Sequence, residues 1–204
     1  VTQPTRRGRA TQAAIDDAAR AVIARKGILA ATVADIAAEA GRSPASFYNY
    51  YDSKEAMVRA WAVRFRDEAG DRAQTVIRHG LSDRERVREA TAAHWHTYRH
   101  RLAEMVSVSQ LAMINADFAE HWAQMCEIPL RFITEMVKRA QRLGHCPDDD
   151  PHLMASAIVS MLNQFCYVQL AGRNGRAASD VDDEACIRTL SNIFYRAIFS
   201  KEDP

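Results

Sequence analysis

Apolar residues recur at intervals of three and four along almost the whole chain, and that spacing is the signature of amphipathic helix. From Thr11 to Lys26 they fall at Ala14, Ile15, Ala18, Ala19, Val22 and Ile23, which puts them on one helical face. A stripe at Met57, Val58, Trp61, Ala62 and Phe65 opens a long helix from Lys54. Further helices are predicted from Ser82 to about Arg99, Leu102 to Ile114, Phe118 to Leu143, His152 to Leu170 and Asp182 to Phe199. With only 8 Gly and 6 Pro in 204 residues, the chain is too poor in breakers for collagen or a turn-rich all-β fold. The predicted class is all-α.

The punctuation of the first third is more specific. Gly27 stops the first helix, with Arg25 and Lys26 in its last turn, where the negative end of the helix dipole favours cations. Thr32 offers an N-cap hydroxyl, and Asp35 three residues on completes a short capping box. A helix of about two turns buries Val33, Ile36, Ala37 and Ala40 and ends at Gly41. Ser43 caps the next, Pro44 takes its first position, where a missing N–H costs nothing, and the helix runs to about Tyr50. Ser53 caps the long helix that follows. Two short helices across a tight glycine turn, behind a supporting helix, are the parts of a helix-turn-helix. The second of such helices enters a major groove ~12 Å wide, so its leading side chains must be small or able to hydrogen-bond. Ser43, Ala45, Ser46 and Asn49 meet that demand, while Phe47 points inward.

The string TVADIAAEAGRSPASFYNYYDSKEAM, Thr32 to Met57, resembles the DNA-binding segment of the TetR family of transcriptional regulators, and the likeness extends back to Arg9. Thr32, Ile36, Ala37, Ala40, Gly41 and Ser43 match the family's first short helix and turn; Tyr48, Ser53, Lys54 and Glu55 match its recognition helix and the following cap. The resemblance implies phosphate contacts from Thr32, Tyr48 and Lys54, and puts Ala45 and Ser46 near base edges. Four positions depart from the usual pattern. Arg42 replaces a small apolar residue and reaches either a phosphate or solvent. Ala45 replaces a frequent Gly, Tyr50 a frequent His and Tyr51 a frequent Phe. Ala45 offers only a methyl group, which favours thymine. The DNA-binding set is therefore Thr32, Arg42, Ser43, Ala45, Ser46, Tyr48, Asn49, Tyr50 and Lys54. Arg6, Arg7 and Arg9 read as a flexible basic arm ahead of the first helix, either a solubilising tail or a contact to the minor groove or phosphates.

The resemblance further implies a divergent helical body that binds a small molecule and forms a homodimer. The expected division is 1–54 for the DNA-binding domain with its basic arm and 55–204 for the body. Helices 152–170 and 182–199 carry more apolar residues than one face needs, and two per chain would build a four-helix interface about a two-fold axis. Met161, Phe165, Leu190, Phe194 and Ile198 are its candidate residues. Trp61, Phe65, Trp95, Tyr98, Met105, Met113, Trp122, Met125, Phe132, Met136 and Phe165 would suit an apolar effector cavity, or else simply fill the core. Asn163, Gln164, Gln110 and Tyr98 are the polar groups able to orient a ligand there.

Charge and motifs narrow the rest. The formal net charge is +1, yet residues 1–66 carry +5 and 67–204 carry −4, so a polyanion partner is expected at one end only. Cys126, Cys146, Cys166 and Cys186 form no C-x-x-C pair and read as reduced thiols. His96 and His100 have a zinc-compatible i,i+4 spacing, but no Glu or Cys accompanies them at a fixed interval, and no metal is expected. There is no G-x-S-x-G, H-E-x-x-H or G-x-x-x-x-G-K-[ST], so an enzyme is not expected. No run of eighteen apolar residues suggests a membrane span, and no apolar segment follows the basic N-terminus, which favours a cytoplasmic protein. The sequence reads as a ligand-responsive, homodimeric regulator without cofactor, a repressor released from a palindromic double-stranded DNA operator by a small hydrophobic effector. The alternative is an apolar-ligand binding or interaction protein whose helix-turn-helix is vestigial.

Overall fold

The computed structural model describes residues 6–73, 80–171 and 178–199, and every regular element among them is helical. In chain order they are α1 (Arg6–Lys26), α2 (Val33–Glu39), α3 (Pro44–Tyr48), α4 (Lys54–Ala73), α5 (Asp83–Ala112), α6 (Ala116–Arg142), α7 (Pro151–Leu170), a single 3-10 turn at Ala178–Asp180, and α8 (Asp183–Phe199). The polar loop read at 171–176 lies outside the described residues from position 172 on.

The chain divides into two compact units. Unit 1 comprises Val1–Asp71 and Ala103–Ala123; unit 2 comprises Arg72–Leu102 and Gln124–Pro204. Packing thus draws the boundary elsewhere than the expected 54/55. The reason is visible in unit 1, where α4 and the 103–123 segment complete the core that α1–α3 are too short to close. Ile15, Ala19, Ile28, Ile36, Phe47, Met57, Val58, Trp61, Val108 and Phe118 are all buried there. Polar ties reinforce this packing. Buried Asp16 of α1 accepts hydrogen bonds from Tyr51 Oη at 2.8 Å and Arg64 Nη2 at 3.0 Å, while Gln12 donates to the same tyrosine at 3.0 Å. Arg20 Nε donates to Glu104 Oε1 at 2.9 Å and lays its guanidinium over the Trp61 ring, 5.2 Å from the centroid. Arg59 pairs with Asp117 at 3.4 Å and covers Phe118.

Unit 2 is built on Val87, Trp95, Ile133, Val137, Ala155, Ile158, Leu162, Ile187, Leu190, Phe194 and Ile198. Its rim is tied by Arg139–Asp83 at 2.8 Å, Arg88–Glu184 at 2.7 Å and Arg99–Asp183 at 3.1 Å. Arg84 sits over Tyr195, which stacks on Phe199. Exposed ion pairs of this kind contribute about 0–1 kcal/mol each, so burial carries the unit.

Several local expectations are met and others revised. The capping box on α2, the Ser43 cap with Pro44, the Ser82–Glu85 box and the Ser53 cap all form. Gly27, Gly41 and Gly144 end their helices at positive φ (76°, 62° and 83°), where a Cβ would strain the backbone. The two helices expected at 82–99 and 102–114 both form; they share the label α5 but are separated by a kink at Arg101, whose angles are non-helical (φ −127°, ψ 29°). Pro129 stays inside α6, which runs through it. The arm is also different. Arg6, Arg7 and Arg9 lie within α1 rather than ahead of it, because the polar 6–13 stretch continues the helix that the apolar stripe begins. Finally, α7 is long and apolar enough by length and composition to cross a membrane, contrary to expectation. Average hydropathy tolerates Ser156, Ser160, Asn163 and Gln164, which a requirement for uninterrupted apolar residues rejects.

Candidate nucleic-acid interface

α2 and α3 meet across the Gly41 turn and are fixed by their caps. Thr32 Oγ1 accepts from Asp35 N at 3.1 Å and donates to Asp35 Oδ2 at 2.8 Å, while Asp35 Oδ1 takes Lys26 Nζ at 2.8 Å. The Lys26 hydrogen bond and then the two from Thr32 hold the Asp35 carboxyl down at about 2. Thr32 is exposed, but its hydroxyl proton is engaged in the cap. Ser43 Oγ accepts from Ser46 N at 3.3 Å, which starts α3.

α3 has two dissimilar sides. Phe47 is fully buried, with its ring 5.7 Å from those of both Tyr48 and Tyr51. That anchor leaves Arg42, Ser43, Ala45, Tyr48 and Asn49 exposed, and Ser46 and Tyr50 half-buried. Arg7, Gly8, Ala10 and Thr11 of α1 join Arg42, Ser46 and Tyr50 around an open depression of ≈ 490 Å³. Arg7 was read in the sequence as part of a basic arm, but its neighbours Gly8, Ala10 and Thr11 were not singled out, although their signal was present. Gly8, Ala10 and Thr11 are small residues beside an arginine, so a backbone can approach there and meet a cation. The depression presents two guanidiniums and the hydroxyls of Ser46 and Tyr50, a donor set that suits phosphate oxygens, while the Thr11 hydroxyl proton is taken by the Arg7 carbonyl.

Lys54 departs from its expected role. Its Nζ donates to the carbonyls of Ile28 at 2.8 Å, Ala31 at 2.9 Å and Leu29 at 3.2 Å. An ammonium has three protons, and these three acceptors occupy them, so the side chain is a clasp between α4 and the α1–α2 loop rather than a phosphate contact. Lys54→Met is therefore expected to destabilise unit 1. Charged hydrogen bonds contribute about 1.5–3 kcal/mol when buried, and a side chain still 21% exposed scales the total to about 2 kcal/mol. The melting temperature should fall by about 4–8 °C for a chain of this size, measured by circular dichroism. An unchanged melting temperature would remove the clasp.

Residues 15–61 match the family model described as bacterial regulatory proteins, tetR family. That segment is a TetR-family DNA-binding segment. The chain is 27% identical over 124 residues to the HTH-type transcriptional repressor KstR2 of Rhodococcus jostii, a match covering 54% of this chain and 61% of that one. The chain thus matches about three fifths of the length of that curated relative. A TetR-family regulatory protein from Rhodococcus RHA1 superposes with a TM-score of 0.72 at 19% identity, over 92% of this chain and 96% of the other. FadR from Bacillus subtilis, solved in complex with stearoyl-CoA, superposes with a TM-score of 0.65 at 18% identity, over 92% and 99%. The family is one of transcriptional regulators, not enzymes.

The expected effector and interface residues of the helical body are only partly placed as anticipated. Trp61, Phe65, Met105, Met113 and Trp122 fall in unit 1; Trp95, Tyr98, Met125, Phe132, Met136 and Phe165 fall in unit 2. Met113 is 81% exposed and Phe132 38% exposed, so neither lines an interior. Met113 lies in the turn that ends α5, and Phe132 on the outer side of α6. Trp61 is covered by Arg20. In unit 2, Trp95 and Phe165 rings meet at 6.2 Å, and Tyr98, Met125 and Met136 are buried. Gln164 is exposed, and Gln110 lies against Gly27, so neither faces this cluster. Leu190, Phe194 and Ile198 are fully buried within the subunit and cannot form a surface between copies. They sit on the inner face of α8; its outer face carries Thr189, Ile193 and Ala197. Met161 and Phe165 are half-buried, beside the exposed Leu153, Ala157 and Gln164 of α7. Among the described residues no group of three metal-ligating side chains gathers, and His100 Nδ1 is 2.7 Å from the His96 carbonyl.

Proposed function

We propose that this chain is a TetR-family, ligand-responsive repressor that binds a palindromic double-stranded DNA operator as a cytoplasmic homodimer and is released by a small, largely hydrophobic effector. The observation that carries the reading is the exposed row Ser43, Ala45, Tyr48 and Asn49, flanked by Arg42 and Arg7 and anchored by buried Phe47. Small and hydrogen-bonding side chains read base edges, and flanking cations hold the phosphates. The name of KstR2 supports repression, and the stearoyl-CoA bound to FadR supports an apolar effector. The dimer reading rests on the apolar outer faces of α7 and α8, with Leu153, Ala157, Met161 and Ile193 in place of the buried residues of α8. Two recognition helices in a dimer reach half-sites ~34–36 Å apart, so an effector that alters their separation breaks register with both.

Salt titration tests the interface without knowledge of the operator. Each phosphate contact contributes about 0.9 to the slope of log K against log salt, measured on duplex DNA of mixed sequence. Arg7→Ala and Arg42→Ala should each lower the slope by about that amount, while Ser46→Ala should alter sequence preference more than slope. A chain that retains no DNA at low salt would instead be the binding protein with a vestigial helix-turn-helix.

A further inference from the structure

Unit 2 contains a polar cluster that the DNA-binding reading does not use. His94 and Tyr98 lie one turn apart on α5, with ring centroids 5.2 Å apart. His94 Nε2 is buried without a hydrogen-bond partner, and so is Nε1 of the adjacent Trp95. The Asn163 side chain of α7 stands beside His94 and donates from Nδ2 to Cys126 Sγ of α6 at 3.9 Å, a weak bond to a soft acceptor. Three helices of one unit thus bring an imidazole, a phenol and a carboxamide together among Trp95, Phe165 and Cys126. A buried polar atom left unpaired is costly, so a protein that keeps such atoms together commonly uses them.

The surroundings decide what they can bind. Among the described residues of unit 2, the buried polar side chains are Thr91, Thr134 and Ser191; no Lys, Arg, Asp or Glu is buried there. The hydroxyls of Thr91 and Ser191 bond to their own helix carbonyls. Burial holds His94 down at about 4, against the opposing effect of its hydrogen bond to Asn163, so at neutral pH the imidazole brings no charge. Burial likewise pushes the Cys126 thiol up to about 11 and the Cys166 thiol up to about 12, so neither is a thiolate. An anionic or cationic head group would lose its solvation on entering without a buried counter-charge. A neutral oxygen would not.

We propose that His94 and Asn163, with the Tyr98 hydroxyl, form a receptor for one uncharged hydroxyl or carbonyl oxygen on an otherwise apolar ligand. This rests on the effector reading above and narrows it to neutral molecules such as alcohols, ketones and esters. A neutral imidazole donates or accepts according to tautomer, and a carboxamide does both, so the pair satisfies either oxygen.

The test is calorimetric titration of the full chain with 1-decanol, 2-decanone, decanoate and decyltrimethylammonium, which share a chain length and differ in the head group. The alcohol and the ketone should bind at least tenfold tighter than either ion. His94→Phe and Asn163→Leu should each weaken the neutral probes by about tenfold, the size of one hydrogen bond. His94→Gln, which keeps a donor and an acceptor, should stay within about threefold of the parent. If His94→Phe fails to fold, Asn163→Leu carries the same expectation. Equal binding of decanoate and decanone, or folded variants that bind the neutral probes as tightly as the parent, would overturn the proposal. So would binding of none of the four; DNA retention would then still judge the regulator reading separately.

Discussion

Ile193→Glu is expected to give a folded monomer, whereas Phe194→Glu, one residue along, is expected to abolish the fold of unit 2. The two side chains leave α8 about 100° apart. Ile193 is 48% exposed and Phe194 fully buried, so one faces outward and the other lies in the core with Ile187, Leu190 and Ile198. At position 194 the change removes a buried aromatic ring, a loss of about 3–5 kcal/mol, and inserts a carboxylate with no cation to meet it, several kcal/mol more. Against a total stability of about 5–15 kcal/mol, little native state survives. At position 193 the carboxylate stays hydrated in the monomer and would be stripped of water only across the proposed subunit interface. Sedimentation should therefore show monomers with unchanged helical circular dichroism for Ile193→Glu. Lost helical signal is the expected result for Phe194→Glu. A folded Ile193→Glu dimer would move the interface off this face of α8.

The same pair marks how far the sequence could be read. Helix positions, caps and turns depend on neighbours within a few residues, so Thr32 with Asp35, Ser43 with Pro44, and Gly27 were legible. So was the surplus of apolar residues on α7 and α8. What the periodicity could not decide is which apolar residues face the subunit's own core and which face outward, because both kinds satisfy the same three-four spacing. Leu190, Phe194 and Ile198 fill the interior, while Ile193, as large as Leu190 or Ile198, remains outside with Ala197. Lys54 was misread for a related reason. Its position fits the family's motif, but its carbonyl partners lie 23–26 residues earlier, in a loop whose path no local pattern specifies. The His94 cluster joins α5, α6 and α7 and has no spacing to announce it. The arginines at 6, 7 and 9 were visible as charge, while their helical placement follows from continuation of α1.

Arg20→Leu is expected to destabilise unit 1 by about 3 kcal/mol, because it strands a carboxylate in the core. Glu104 is only 2% exposed, one of its oxygens is held by Arg20, and the other has no hydrogen-bond partner. Removing one member of a buried ion pair costs about 3–5 kcal/mol. The lower end applies here because Arg20 is still partly in water and reaches exposed Asp17 as well. The melting temperature should drop by about 6–12 °C. Glu104→Leu should cost less, since the guanidinium left behind keeps Asp17, water and the face of Trp61. The double variant Arg20→Leu/Glu104→Leu should recover much of the loss of Arg20→Leu, as replacing both partners leaves no bare charge. The cycle separates two roles for the pair. If the double variant melts near the parent yet binds duplex DNA more weakly, the pair positions α1, and through it Arg7, rather than supplying stability. If it is as unstable as Arg20→Leu alone, the arginine acts through its packing on Trp61, and the charge of Glu104 is incidental.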